Sequence, residues 1–299
     1  MAGNSPAMTP AQPGGRVLPA LGRVLPYLFI AAFIAVSTLF LVAPTVMLAV
    51  QSVNGKDGLT LQYLEALGDE HFVLAFRHSI QLSLYSAVVG VVAGGLIAHA
   101  VLAPGAPRGL QSAVTSFSAV AANFAGVPLA FAFVATLGSL GMLTQVLNSA
   151  GFNIYGAGFS LYSITGLTIV YSYFQIPLMV IIITPALQAL RSEWREASEN
   201  LGATNAQFWR LIGLPVLLPS LLSSFILLFG SAFSAYATAY ALTSGNIALL
   251  TTEIANVLSG DVTSSPQTGA ALSVGMIVVM VGVLGLSALL SRRAARWHK

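Results

Sequence analysis

Long apolar stretches alternate with short polar ones along this chain. The apolar runs extend from about Val24 to Val50, Ser79 to Leu102, Ala113 to Leu137, Ile164 to Leu187, Val216 to Thr243 and Gly269 to Leu290. Each holds about 20 residues or more, enough for a helix to cross roughly 30 Å of hydrocarbon. The pattern predicts six membrane-spanning helices. Gly90 and Gly94 stand at the spacing that lets two helices approach closely. Pro128 and Pro177 fall inside apolar runs and predict kinks there.

The polar intervals differ in character. Residues 51–78 read as a loop, in which Leu61, Tyr63, Leu64 and Leu67 have the spacing of a helix lying along the membrane surface. Residues 103–109 form a short turn. Residues 138–163 carry no charge but are rich in Gly, Ser, Asn and Tyr, which predicts an extramembrane or partly re-entrant segment. Residues 244–268 read as a loop holding Glu253 and Asp261.

The stretch from Arg191 to Pro219 (RSEWREASENLGATNAQFWRLIGLPVLLP) gathers Arg191, Glu193, Arg195, Glu196, Glu199 and Arg210 between two apolar runs. Charge at membrane depth is expensive, so this segment lies in water or against a soluble partner. Its pattern is that of two short helices and a corner. Ser192 is placed to cap the first helix, with Glu193 and Glu196 at its positive end. Gly202 stands where a left-handed cap would end it. Thr204 followed by Gln207 has capping-box spacing, and Pro215 and Pro219 mark the return to the membrane.

Composition agrees. The chain is 56% hydrophobic and only 7% charged, with no cysteine, and its mean hydropathy is +0.84. A soluble domain carries about 25% charged residues. This is an integral membrane protein without disulfides or thiolate chemistry. The first apolar run is too long for a secretory signal and reads as a retained span. Six spans put both termini on one side, with Arg16, Arg23, Arg108, Arg191, Arg195, Arg210, Arg292, Arg293, Arg296 and Lys299. The other side has only Lys56 and Arg77, against Asp57, Glu65, Asp69, Glu70, Glu253 and Asp261. The basic side is cytoplasmic. That places both termini and the polar stretch in the cytoplasm of a multi-pass inner (plasma) membrane protein. Topology explains the net charge of +3 without a nucleic-acid partner. The expected organisation is a disordered tail over 1–23, one membrane domain over 24–291 and a basic tail over 292–299.

Several chemistries lack their residues. The predicted spans hold no Asp, Glu, Lys or Arg, which ion-coupled transporters need at depth. His99 reads as interfacial. No phosphate-binding glycine loop and no metal-ligand spacing occurs, and His71 and His78 read as residues of a surface helix. The chain is expected to bind no cofactor or metal and to catalyse nothing itself.

The polar stretch resembles the permease subunits of binding-protein-dependent ABC importers. Their signature is E-A-A, three residues, G, nine residues, then I-x-L-P. Here Glu196-Ala197-Ser198, Gly202 and Ile212-Gly213-Leu214-Pro215 stand at that spacing, with Ser198 in place of the second alanine. The resemblance implies an all-α integral membrane protein of about six helices with the type I importer permease fold. It implies a cytoplasmic coupling helix between the fourth and fifth spans. The expected coupling residues are Glu196, Ala197, Ser198, Gly202, Ile212, Leu214 and Pro215. Implied partners are two ATPase subunits that carry ATP and Mg, a second permease or a copy of this chain, an extracytoplasmic binding protein, and membrane lipid. Trp194, Phe208 and Trp209 are docking or interfacial aromatics.

The stretches NFAGVPLAFAF (123–133), YSYFQIPLM (171–179) and FSAYATAYALTSG (233–245) resemble the branch that includes spermidine/putrescine, ferric-iron, thiamine and phosphonate permeases. The implied cargo is a polyamine or another small polar solute. Asn123, Tyr171, Tyr173, Gln175, Ser234, Tyr236, Thr238 and Tyr240 are candidate pathway residues, and helix packing is the alternative role for each. Tyr236 and Tyr240, four apart, are expected to share a face with Phe233. The alternative function is a stand-alone secondary transporter or channel.

Overall fold

The computed structural model describes residues 18–55, 58–103, 105–259 and 265–295. The charges assigned to Arg16, Lys56, Asp57, Asp261, Arg296 and Lys299 lie outside these residues. Among the described residues, six helices are long and apolar enough to cross a membrane. The chain divides into two compact units, one ending at Val50 and one from Gln51 onward. The first holds α1 (Leu18–Ser37), a π turn (Thr38–Val42) and most of α2 (Ala43–Val53). Helix thus begins six residues inside the stretch read as a tail.

The second unit opens with a two-residue hairpin, β1 (Asn54–Gly55) on β2 (Gly58–Leu59). A single turn, α3 (Gln62–Glu65), follows. Leu67, read as lying on the membrane surface, instead packs against the main core. A methyl group on Gly275 would meet its side chain, so it seats on the last helix.

The second span begins at Glu70, nine residues earlier than its apolar run. It comprises α4 (Glu70–Val89), a π turn (Gly90–Gly94) and α5 (Gly95–Val101). The polar residues that masked its start have distant partners. His71 Nε2 lies 3.0 Å from a carboxylate oxygen of Glu253. His78 Nδ1 lies 3.2 Å from the Ala248 carbonyl. Ser79 Oγ accepts from Leu250 N–H at 2.8 Å. These contacts clasp α14 (Leu250–Leu258) onto α4. The interval read as a loop therefore contains a helix, and Glu253 is only 8% exposed.

The third predicted span is two helices, α6 (Arg108–Ala121) and α7 (Val127–Leu137). Gly126 adopts φ +78° between them, and its N–H donates to Thr238 Oγ1 at 2.8 Å. Pro128 sits in the first turn of α7, where a missing N–H costs nothing, rather than at a kink. The uncharged segment that follows contains α8 (Met142–Ser149) and a run of turns.

The fourth span, α9 (Ile164–Gln188), is the axis of the unit: 61% of its apolar window is buried, against 22% for the fifth span. Gly90 and Gly94 bring α4–α5 against it. A methyl on Gly94 would lie 2.6 Å from the Ile176 carbonyl oxygen and 2.6 Å from Met179 Cβ. Gln175, fully buried beside Gly90, donates from Nε2 to the Leu228 carbonyl at 2.9 Å. Its Oε1 has no hydrogen-bond partner.

After α10 (Ser192–Asn200), one helix runs from Asn205 to Ser234. It is built of α11 (Asn205–Phe208), a π turn (Trp209–Gly213) and α12 (Leu214–Ser234). The chain then breaks at Ala235 and Tyr236 before α13 (Ala237–Thr243), so the fifth predicted span is also divided. The Ala235 carbonyl at this break accepts from Tyr171 Oη at 2.8 Å. Helix α15 (Pro266–Ala295) closes the unit. Its core gathers Met179, Ile183, Leu228, Phe229 and Leu272. A second cluster gathers Leu129, Leu167, Tyr171 and Leu242.

Candidate functional site

The candidate site is the polar connection between α9 and α12. Helix α10 starts with Arg191 as its cap residue, in extended backbone (φ −72°, ψ 134°) and without a side-chain bond to the helix. Ser192 is already helical, so it does not cap. The extended backbone falls one residue before the hydroxyl. Glu193 lies in the first turn, where a carboxylate is favoured by the exposed N–H groups. Arg195 Nε and Glu199 Oε1 pair at 3.1 Å, one turn apart; Glu199 is exposed and Arg195 half-buried, and such pairs contribute about 0.3–0.5 kcal/mol.

The helix ends in a complete left-handed cap. Gly202 has φ +79°. Its N–H donates to the Glu199 carbonyl at 2.9 Å, and Ala203 N–H donates to the Ser198 carbonyl at 2.9 Å. These are the two bonds of a Schellman motif. A methyl on Gly202 would meet nothing within 4 Å. Its requirement is therefore conformational, because L-residues are strained at this φ.

Thr204 then caps α11. Gln207 N–H donates to Thr204 Oγ1 at 3.3 Å, and Thr204 N–H donates to Gln207 Oε1 at 2.7 Å. The expected capping box is present. The expected return to the membrane at Pro215 and Pro219 is made without a break. The helix continues into α12 through the π turn, in which Leu214 N–H reaches the Trp209 carbonyl five residues back. Pro215 has no N–H to offer Leu211, and a locally widened turn absorbs that loss.

The coupling residues divide between two faces. Glu196 and Ala197 are exposed. Ser198 is buried, and its hydroxyl donates to the Arg195 carbonyl at 2.8 Å. It faces the root of α12, and Ala197 lines the same groove there while staying exposed. This apolar groove of about 430 Å³ runs between Trp194, Ala197, Ser198, Leu201, Ile212 and Val216. Leu201, beside the cap, is 88% exposed. Leu214 is exposed and Pro215 half-buried. Phe208 is buried, which removes it from the docking aromatics, while Trp194 remains exposed.

The candidate pathway residues also separate. Tyr171, Gln175 and Thr238 are buried and hold helices together through the bonds given above. Asn123, Tyr173, Ser234, Tyr236 and Tyr240 are exposed. Tyr173 meets Phe124 and Phe133 edge-on, with ring centroids at 6.3 and 5.9 Å. Tyr236 and Tyr240 stack at 5.2 Å. Phe233 is not on their face: it is buried and stacks on Phe229, because the chain breaks between Phe233 and Tyr236. The exposed aromatics flank the two helix breaks, at residues 122–126 and 235–236, which Gly126 and Thr238 hold together.

A family model described as "Binding-protein-dependent transport system inner membrane component" matches residues 90–296, which include every candidate coupling and pathway residue. The "Probable sulfate transport system permease protein" of Helicosporidium sp. is 25% identical over 72% of this chain and 76% of its own length. The spermidine/putrescine transport system permease protein PotC of Haemophilus influenzae is 24% identical over 88% of this chain and 96% of its own. Among solved structures, a bacterial alginate ABC transporter, crystallised with its alginate-bound periplasmic protein, contains a similar fold. Its matching chain has a TM-score of 0.70 at 19% identity and covers 93% of this chain and 98% of its own. The chain therefore belongs to the family of inner membrane components of binding-protein-dependent transport systems, and it has the fold of a type I ABC importer permease.

Proposed function

We propose that this chain forms a substrate pathway across the membrane and draws its energy from a separate cytoplasmic ATPase that docks on α10 and Gly202. The observation that carries this reading is the geometry of the coupling stretch. A short helix presents Glu196, Ala197 and an 88% exposed Leu201, ends in a left-handed cap, and leads into a helix continuous with the fifth span. Leu201 supplies an apolar anchor and Glu196 a carboxylate for a basic group of the ATPase. The excess of basic residues on this side supports placing the docking face and both termini in the cytoplasm.

Two ATPase subunits, a second permease or another copy of this chain, and an external binding protein complete the assembly. The exposed aromatics at the two helix breaks are the part of the pathway this chain contributes. The relatives named above include a sulfate and a polyamine system, cargoes of opposite charge. The reading they support is a small polar solute delivered by the binding protein, with a polyamine as one member of that class. Mass spectrometry of ligand co-purified with the binding protein identifies it.

In the reconstituted complex, Glu196→Lys and Gly202→Val should each reduce binding-protein-stimulated ATP hydrolysis to the unstimulated rate while the protein still inserts. Full stimulation in both variants would remove the docking assignment.

A further inference from the structure

The coupling stretch touches the bundle at a place its signature does not mark. Trp209, in the π turn, meets His99 of α5 with ring centroids 4.6 Å apart and planes at 79°. The two residues are 110 positions apart in the chain. Trp209 is seated from its other side by Gly213. A methyl on Gly213 would lie 2.6 Å from Trp209 Cε3 and 3.0 Å from Cζ3, so only glycine lets the indole fold back on its own turn. Phe208 adds an edge contact at 5.7 Å. The indole is therefore held at the head of the fifth span and aimed at the second.

The second span is tied to α9 a short way from that contact. Gly94 approaches the Ile176 backbone and Met179, while Gly90 approaches Gln175. The same five residues, Gly90 to Gly94, are a π turn, a form of helix found at functional sites and associated with bending. His99 lies five residues beyond Gly94, or about 7.5 Å along the helix axis. Here α5 has a fixed and bendable point at one end and an aromatic contact with the coupling stretch at the other. An apolar groove of about 450 Å³ opens beside the rings, lined by Val92, Leu96, Leu187 and Leu217 among others. The rings thus border open space instead of a closed core.

We propose that Trp209 and His99 are positioning residues for coupling. When the ATPase displaces the coupling stretch, Trp209 carries part of that displacement to His99, and α5 turns about the Gly90–Gly94 contact with α9. Two spans then respond to one docking event: the fifth by direct continuity, the second through an aromatic contact. This rests on the docking reading above, and the test separates the two.

The test uses the complete complex of permease, ATPase and binding protein in lipid nanodiscs. Trp209→Ala and His99→Ala should each lower binding-protein-stimulated ATP hydrolysis and solute uptake by about tenfold, within the range of coupling effects known for residues between sites. The unstimulated ATPase rate and the amount of ATPase that co-purifies should not change. Trp209→Phe and His99→Phe, which keep an aromatic ring, should restore most of the stimulation. The double alanine variant should be no worse than either single one, since both break the same contact. Normal stimulation in the alanine variants, with Glu196→Lys uncoupled in parallel, overturns this proposal and leaves docking intact. Normal stimulation in Glu196→Lys overturns the docking reading itself. Loss of co-purifying ATPase in the alanine variants, or no rescue by phenylalanine, reduces the pair to a structural contact and also overturns the proposal.

Discussion

The coupling stretch and the crossing of α4 with α9 are built in opposite ways. The first is open and held by short-range bonds: a Schellman cap, a capping box and a one-turn ion pair. Gly202 stands in free space, needed only for its backbone angle. The second is buried and held by long-range contact. Gly94 is needed because Ile176 and Met179 leave no room for a side chain. Two glycines thus meet different physical demands, and substitutions should fail for different reasons. On the reading proposed above, the element that moves against a partner has its shape fixed locally. An element that acts as a fulcrum has its shape fixed by its neighbours.

Mutation can break this contrast. The largest effect is expected for Gly94→Val. Its new atoms meet a backbone carbonyl that cannot swing away, and overpacking of this kind costs about 1–3 kcal/mol or more. Thermal unfolding of the purified protein should show a clear drop. Gly90→Ala should be milder, because the nearest atom is the far end of the Leu228 side chain. Next is Gly202→Ala, where holding a left-handed angle costs about 1–2 kcal/mol. Here the loss should appear in ATPase stimulation and not in unfolding of the bundle. Equal effects of Gly94→Val and Gly202→Ala on unfolding would erase the distinction between the two regions.

Smaller effects sharpen it. Thr204→Ala removes a real cap and should cost about 1 kcal/mol, whereas Ser192→Ala removes none and should be close to neutral. Protease susceptibility of the coupling stretch would compare them. Gln175→Leu should change stability by no more than about 1 kcal/mol. It loses the bond to Leu228 but also removes a buried acceptor without a partner, and these contributions oppose each other. Disruption of the Arg195–Glu199 pair by Glu199→Gln should alter stability least, by under about 0.5 kcal/mol.

The same contrast accounts for what could be read from the chain beforehand. Gly202 and the Thr204–Gln207 box are local signals, and the structure has both. The limits of α9 agree to within one residue, because its ends coincide with the ends of an apolar run. The early start of α4 was hidden, since His71 and His78 find their partners 182 and 170 residues away. The break after Ala121 lay inside an uninterrupted apolar run. Gly126 followed by Pro128 was the available sign, a turn glycine ahead of a proline suited to a helix start. No comparable sign marks the break at Ala235, whose freed carbonyl is met by Tyr171 from another helix. Of the candidate site, the signature marked the residues proposed above to dock. It did not show that Ser198 turns inward, because that depends on where α12 is rooted.

The unbroken run from Asn205 to Ser234 has a mechanical consequence. Thirty helical residues make a strut about 45 Å long, with Thr204 at one tip and the Ala235–Tyr236 break at the other. Beyond the π turn at Trp209–Gly213, α12 tilts as a whole, so a small rotation at its start becomes a sideways sweep at the far end. There the helix is already broken, and Tyr236 and Tyr240 stand beside the break. In such a linkage the stiffness of the middle matters more than its chemistry. A second proline or glycine pair placed halfway along α12 should decouple the two tips while leaving both intact.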